Sequence, residues 1–170
     1  NLEAYLYEMA KEFVPVEGHQ LPDENMTVVM GMYGKEADYF ALKGVVEELF
    51  GKLSIRDYDV EPVTDNPTFH PGRTARVVKD GVTLGIMGEI HPAVLENYGI
   101  GVKTYVASFK LDEMFNASDF DMQYKPLPKF PATSRDLALL CDKDIPIMKI
   151  EKLISSAVGD ILENIELFDV

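Results

Sequence analysis

Cysteine is almost absent from this 170-residue chain, which contains only Cys141. A single cysteine rules out an internal disulfide framework and favours a reducing compartment, so the expected location is the cytoplasm. There is no run of about 18 apolar residues, the length that a membrane-spanning helix needs. The first residues, Asn1 to Glu3, lack the basic start and apolar stretch of a signal peptide. The 46% hydrophobic content instead predicts a soluble chain with enough apolar material for a real core.

Positive charge is also scarce. The chain has 16 Lys and Arg residues against 29 Asp and Glu residues, which gives a formal net charge of −13. A protein that binds nucleic acid on its own usually carries a basic patch, so this balance argues against that class. The deficit is uneven, because residues 1–124 contain 10 basic and 21 acidic side chains, whereas residues 125–170 contain 6 and 8. Any contact with a polyanion is therefore expected from the second part.

Three prolines between Tyr124 and Pro131 coincide with this change in charge. Each proline fixes its own φ and disfavours helix in the preceding residue, so the segment is predicted to be extended and semi-rigid. We therefore predict a first domain over residues 1–124, a proline-rich linker over 125–134, and a second domain over 135–170.

Residues 1–124 are predicted to form alternating strands and helices. A helix is expected from Tyr39 to Phe50, with Asp38 as its N-cap and Gly51 as its stop. Asp80-Gly81 favours a type I′ turn between two strands. In the second of these strands four residues are predicted to share one face: Val82, Leu84, Ile86 and Ile90. His91 and Pro92 are predicted to open a short helix that Gly99 ends. The remaining predicted strands are Ala4–Phe13, Met26–Met32 and Val102–Leu111.

The second part predicts a β-α-β unit. Arg135–Cys141 is the first predicted strand, a helix follows with Pro146 at its start and Gly159 at its end, and Ile161–Val170 is the second strand. Because such a unit leaves a sheet edge and an apolar face uncovered, Val170 is not expected to be a natural terminus.

The residues do not assemble an evident active site. The three histidines, His19, His70 and His91, lack the spacing of a zinc site. Gly85 and Gly88 lie within an alternating strand rather than before a helix, which favours a bulge or a close neighbour over a phosphate cradle. Arg73 and Arg76 could hold an anion, or Arg73 could pair with Glu89 across the hairpin. We therefore assign a structural role to the turn and hairpin residues: Phe69, His70, Pro71, Gly72, Arg73, Gly85, Gly88, Glu89, His91 and Pro92.

Several segments, in order and in register, resemble the β subunit of bacterial phenylalanyl-tRNA synthetases. The segments that carry the resemblance are Phe69–Ala75, Gly85–Pro92 with Tyr98, Leu127–Ala138 and Leu167–Val170, with looser agreement at Leu6–Phe13 and Tyr39–Gly44. The resemblance covers essentially the whole chain.

The resemblance implies an α+β fold: a mainly antiparallel sheet with flanking helices, similar to the catalytic module of class II aminoacyl-tRNA synthetases but without its catalytic residues. It implies that residues 135–170 begin a ferredoxin-like anticodon-binding domain. It also implies an (αβ)₂ assembly in which the α subunit carries out ATP- and Mg²⁺-dependent aminoacylation, with no cofactor bound by this chain. Lys125, Lys129 and Arg135 are the residues expected to face tRNA(Phe); ordinary solvated charges beside a linker remain an equal interpretation.

Two other functions stay open from the residues alone. One is a stand-alone metal-dependent enzyme that uses His70 and His91. The other is an interaction module unrelated to translation.

Overall fold

The computed structural model describes residues 3–120 and 129–168, which belong to two compact units that divide between residues 122 and 123. The elements of the first unit are β1 (Ala4–Val14), β2 (Asp23–Tyr33), α1 (Tyr39–Lys52), β3 (Asp59–Pro62), β4 (Phe69–Lys79), β5 (Val82–Ile90), α2 (Pro92–Asn97), β6 (Tyr105–Lys110) and α3 (Leu111–Ala117). The strands form one antiparallel sheet in the order β1-β2-β6-β5-β4-β3. The α+β class predicted from the sequence is confirmed.

The main core lies between one face of this sheet and the helices α1 and α3. Leu42, Val46 and Phe50 form the buried stripe of α1, and each is at most 1% exposed. The Phe50 ring packs edge-on against Phe109 of β6, with the ring centroids 5.3 Å apart. Burying each such side chain stabilises the fold by about 1.5–3 kcal/mol. A smaller cluster on the opposite face joins Phe69, Ile90 and Leu95, and it holds α2.

Helix α1 begins as predicted but ends later. The Asp38 side chain accepts a hydrogen bond from the Ala41 N–H at 2.7 Å, which makes Asp38 the N-cap. The prediction that Gly51 stops the helix is wrong, because the helix continues to Lys52. Ser54 adopts the left-handed conformation instead (φ 53°). The N–H groups of Ser54 and Ile55 then bond back to Gly51 and Phe50, a Schellman ending that buries Ile55 in the core.

The β4–β5 hairpin turns at the predicted residues. Asp80 and Gly81 have φ values of 50° and 81°, as a type I′ turn requires. The prediction that four residues of β5 share one face is wrong, however. Val77 pairs with Gly85 and Val78 with Thr83, so Leu84 is an extra residue in a bulge. The bulge reverses the alternation.

Side chains on either side of this bulge therefore enter different clusters. Leu84 joins Met87 in the main core, whereas Ile86 and Ile90 lie in the smaller cluster and Val82 is exposed. A single inserted residue is enough to exchange the two faces because strand side chains alternate with a period of two.

Two further elements differ from the sequence prediction. The strand predicted over Val102–Leu111 is shorter, because β6 spans Tyr105–Lys110 and Leu111 starts α3. Asp112 and Glu113 in the first turn favour a helix there, since acidic side chains stabilise helix N-termini. The strand β3 was not predicted. It has only four residues and exists through its pairing with β4.

The second unit contains helix α4 (Ile147–Val158) and a 3₁₀ turn at Gly159–Ile161. The helix follows Pro146 and ends at Gly159 (φ 66°), as predicted. The predicted strands at Arg135–Cys141 and Ile161–Val170 are absent from the described residues. A strand requires a hydrogen-bonded neighbour and a buried face. No residue in 129–168 is buried, so the second condition is not met there.

Candidate functional site

The candidate region occupies one end of β4, β5 and β6. Phe69 pairs with Ile90, and the next pair along the ladder joins Thr74 to Gly88. Between these two pairs β4 advances by five residues while β5 advances by only two. Residues 70–73 therefore form a bulge in β4. The sequence predicted a simple turn here, and the structure instead has a four-residue bulge within the single strand β4.

Side-chain hydrogen bonds close the bulge. The His70 Nδ1 accepts from the Gly72 N–H at 3.1 Å, and the Thr74 hydroxyl donates to the His70 carbonyl at 2.6 Å. Pro71 fixes its own φ between them. The His70 ring is therefore part of the bulge, since its Nδ1 is occupied by the backbone.

His91 has a similar role at the start of α2. Its Nδ1 accepts from the Ala93 N–H at 3.2 Å, and its carbonyl accepts from Val94 and Leu95. Pro92 occupies the first helical position, where a missing N–H costs nothing. The predicted N-cap is thus present, and neither His70 nor His91 presents Nδ1 to a ligand.

A buried carboxylate links the three strands. Glu89 of β5 is 3% exposed, and its Oε2 lies 2.7 Å from the Arg73 Nη1. The Tyr105 hydroxyl of β6 is 3.4 Å from the same oxygen. Burial, followed by the negative charge of Glu89, raises the pKa of Tyr105. The Arg73–Glu89 pair is one of the alternatives predicted from the sequence, whereas no motif marks Tyr105 as its neighbour.

The two arginines of β4 are both engaged by carboxylates. Arg73 pairs with Glu89, and the Arg76 Nε lies 2.7 Å from the Glu61 Oε2. The alternative in which Arg73 holds an external anion is thus not favoured, because its charge is already compensated.

The two glycines of β5 allow close approach of neighbouring groups. A methyl group at Gly85 would collide with the Ser108 carbonyl oxygen and with the ring of Phe109. A methyl group at Gly88 would lie 2.6 Å from the Arg73 carbonyl oxygen. Both glycines therefore serve strand packing, as the sequence analysis proposed, and neither precedes a helix.

One depression of the first unit is lined by no charged side chain. It has a volume of about 500 Å³ and lies beside β1, β2 and the loop before β6. Its lining residues are Leu6, Gly31, Met32, Tyr33, Ile100, Gly101, Val102 and Thr104. Such a surface offers no group to clamp a triphosphate, which needs arginine, lysine or a metal.

Groups with metal-ligand chemistry do not converge in the described residues. Within 3–120 and 129–168, no three His, Cys, Asp or Glu side chains come together as a metal site would require. Across those same ranges, no helix is long and apolar enough to cross a bilayer.

Of the three residues expected to face tRNA, Lys129 and Arg135 lie in the second unit and are exposed. The Arg135 Nη1 donates to the neighbouring Ser134 carbonyl at 2.8 Å. Lys125 lies outside the described residues. The structure thus leaves two of the three cations accessible.

Comparison with solved structures defines the class of fold. The pyrrolysyl-tRNA synthetase PylSc of Desulfitobacterium hafniense superimposes with a TM-score of 0.52 at 16% identity, over 65% of this chain and 40% of that one. A second crystal structure of pyrrolysyl-tRNA synthetase from the same organism gives the same TM-score. The first unit therefore has the fold of a class II aminoacyl-tRNA synthetase.

Sequence comparison identifies the family. A family model described as phenylalanyl tRNA synthetase beta chain CLM domain matches residues 1–111, and one described as ferredoxin-fold anticodon binding domain matches 128–170. The chain belongs to the phenylalanyl-tRNA synthetase β chain family, as the sequence analysis predicted.

Individual relatives agree over the whole length. The chain is 44% identical to the phenylalanine–tRNA ligase β subunit of Clostridium tetani, over 100% of this chain and 22% of the relative. It is 38% identical to that of Symbiobacterium thermophilum, over 97% of this chain and 20% of the relative. The chain thus spans about a fifth of the length of these relatives.

Proposed function

We propose that the chain forms part of the β subunit of a phenylalanine–tRNA ligase. Residues 1–124 act as a non-catalytic module that supports assembly with the catalytic α subunit. Residues 135–170, reached through the linker 125–134, belong to a domain that binds tRNA(Phe). The observation that carries this proposal is that curated β-subunit relatives align over the entire chain. A role in translation implies a cytoplasmic location.

The chemistry of the first unit supports a scaffold rather than a catalyst. Amino-acid activation needs positive groups or metal ions that stabilise the triphosphate as pyrophosphate leaves. Arg73 and Arg76 are instead compensated by glutamates of the same sheet, and His70 and His91 hold backbone N–H groups. The ATP and Mg²⁺ of the reaction are accordingly assigned to the α subunit.

An activity measurement tests this assignment. The 170-residue chain with phenylalanine, ATP and Mg²⁺ is expected to show no ATP–pyrophosphate exchange above the blank. The same chain mixed with a phenylalanyl-tRNA synthetase α subunit is expected to elute with it in size-exclusion chromatography. Exchange by the chain alone, or failure to bind any such α subunit, would contradict the proposal.

The tRNA contact is proposed at Lys125, Lys129 and Arg135. Replacing Lys129 and Arg135 by alanine should weaken tRNA(Phe) binding by the assembled enzyme. Each lost phosphate contact should also reduce the slope of log K against log salt by about 0.7–0.9. Lys103→Ala, an exposed lysine of the first unit, is the control. Equal losses from the control and from the double variant would reject this site.

The two alternative functions have less support. A metal-dependent enzyme built on His70 and His91 would require further ligands, and both rings already accept backbone hydrogen bonds. An interaction module unrelated to translation does not account for the alignment with β subunits over the whole chain.

A further inference from the structure

The two edges of the sheet differ in their protection against pairing with another chain. The edge strand β3 has four residues, ends with Pro62 and carries Asp59 and Glu61. Short length, proline and charge are the means by which natural sheets block their edges. The opposite edge strand, β1, has 11 residues, contains no proline and pairs with β2 without any register shift. One long side of β1 therefore offers a regular row of backbone donors and acceptors.

One face of β1 is uncovered and, apart from Lys11, apolar. The register with β2 places four side chains on the face where the helices pack: Tyr5, Tyr7, Met9 and Phe13. The β2 neighbours of Tyr5, Tyr7 and Met9 are buried and that of Phe13 is the exposed Glu24, but the four β1 side chains are themselves between 57% and 77% exposed. The helices α1 and α3 cover the middle of the sheet and leave this stripe bare.

The other face of β1 combines two acidic side chains with the exposed apolar side chains of Leu6 and Val14. Glu8 and Glu12 lie there, opposite Val29 and Asn25 of β2. Within the described residues neither has an ion-pair partner, whereas Lys11 on the apolar face lies 2.6 Å from Glu24. Glu8 and Glu12 are thus the accessible charges of β1 that have no ion-pair partner among the described residues.

We propose that β1 is a docking edge for an extended segment of another protein chain, which adds to the sheet as a seventh strand. Backbone hydrogen bonds would extend the ladder, and directly opposite side chains would meet on each face. The partner segment must therefore alternate, with apolar or aromatic residues beside the stripe of Tyr5 and Tyr7 and with Lys or Arg beside Glu8 and Glu12. This inference does not depend on the proposed ligase function.

Charge decides between this partner and a second copy of the chain. Two copies paired through β1 would bring four glutamates to one face and join chains of net charge −13 each. Like charges opposite each other destabilise strand pairs. A basic alternating segment compensates the same glutamates, so the unpaired Glu8 and Glu12 favour a different chain.

Peptide binding to the 170-residue chain tests the proposal. The probe is a peptide of about nine residues in which valine alternates with lysine, long enough to cover most of β1. Two comparison peptides have the same lysines and valines in separate blocks, or glutamate in place of lysine. The alternating lysine peptide should bind most tightly in calorimetry. It should also slow amide hydrogen exchange within residues 4–14 and leave β3 unchanged.

A charge-reversal variant gives the decisive control. Glu8→Lys with Glu12→Lys should weaken binding of the lysine peptide about tenfold and strengthen binding of the glutamate peptide. Asp65→Lys with Glu96→Lys changes the net charge equally at exposed sites away from β1, and it should retain the original preference. Circular dichroism verifies that both variants are folded.

Three results would overturn the inference. They are equal binding of the alternating and block peptides, equal loss of affinity in both double variants, and slowed exchange outside β1. Concentration-dependent dimerisation that protects residues 4–14 without any peptide would assign the edge to a second copy instead.

Discussion

Replacing Arg73 by methionine would leave the buried Glu89 carboxylate with the Tyr105 hydroxyl as its only side-chain partner among the described residues. Breaking a fully buried ion pair costs about 3–5 kcal/mol, since the remaining charge is left unpaired in the interior. An exposed pair contributes about 0–1 kcal/mol. The side chain of Glu89 is 4% exposed but that of Arg73 is 48% exposed, so water can reach the vacated position from one side. We therefore expect Arg73→Met to destabilise the first unit by about 1–3 kcal/mol.

The same strand supplies a matched control. Arg76 also pairs with a glutamate at 2.7 Å, but both of its side chains are about half exposed, at 53% and 43%. Arg76→Met should therefore cost about 0–1 kcal/mol. The two variants share residue type, strand and ion-pair distance and differ chiefly in the burial of the carboxylate.

Urea denaturation followed by circular dichroism gives both free energies of unfolding. Glu89→Met combined with Arg73→Met should recover most of the loss, because removing both partners leaves no unpaired charge. An Arg73→Met effect no larger than that of Arg76→Met would refute the reasoning. So would a double variant that simply adds the two single effects.

Three further changes probe the same sheet and the helix caps. Gly85→Ala should destabilise the chain by about 1–3 kcal/mol, because the added methyl group collides with β6. Gly44→Ala in α1 has open space for the methyl group and should stabilise the chain by about 0.5–1 kcal/mol. Thermal melts compare the two variants. His91→Ala should lower the free energy of unfolding in urea by about 0.5–2 kcal/mol, and His91→Asn should retain most of it, because asparagine can also accept from the Ala93 N–H. The raised pKa of Tyr105 means that the unfolded chain loses this proton first as pH rises, so stability should fall above about pH 10. Urea midpoints at pH 9 and 11 should show a smaller fall for Tyr105→Phe; an equal fall would assign the slope to other groups.

Local signals predicted those features whose cause lies within a few residues. Asp38 caps α1 because its own side chain reaches a nearby N–H, and Asp80-Gly81 turns because both residues tolerate positive φ. His91 and Pro92 start α2 for equally local reasons. Each of these predictions is confirmed because no distant contact had to be known.

The errors occurred where a distant contact chose between local alternatives. Gly51 is a good helix stop in isolation, but burial of Ile55 against the core favours an ending at Ser54. The bulge at Leu84 lets β5 supply apolar side chains to the clusters on both faces of the sheet. The alternation of residues along β5 does not reveal this, because it depends on what packs on each face.

Family membership and the α+β class were both accessible from the chain's residues alone, since sequence motifs are properties of the sequence. Only the tertiary structure showed that Tyr105 joins Glu89 and Arg73, because those groups come from three strands far apart in the chain. The same holds for the bare edge of β1. Whether a strand is central or peripheral depends on which strands pair, and the pairing is decided by the packing of the whole sheet.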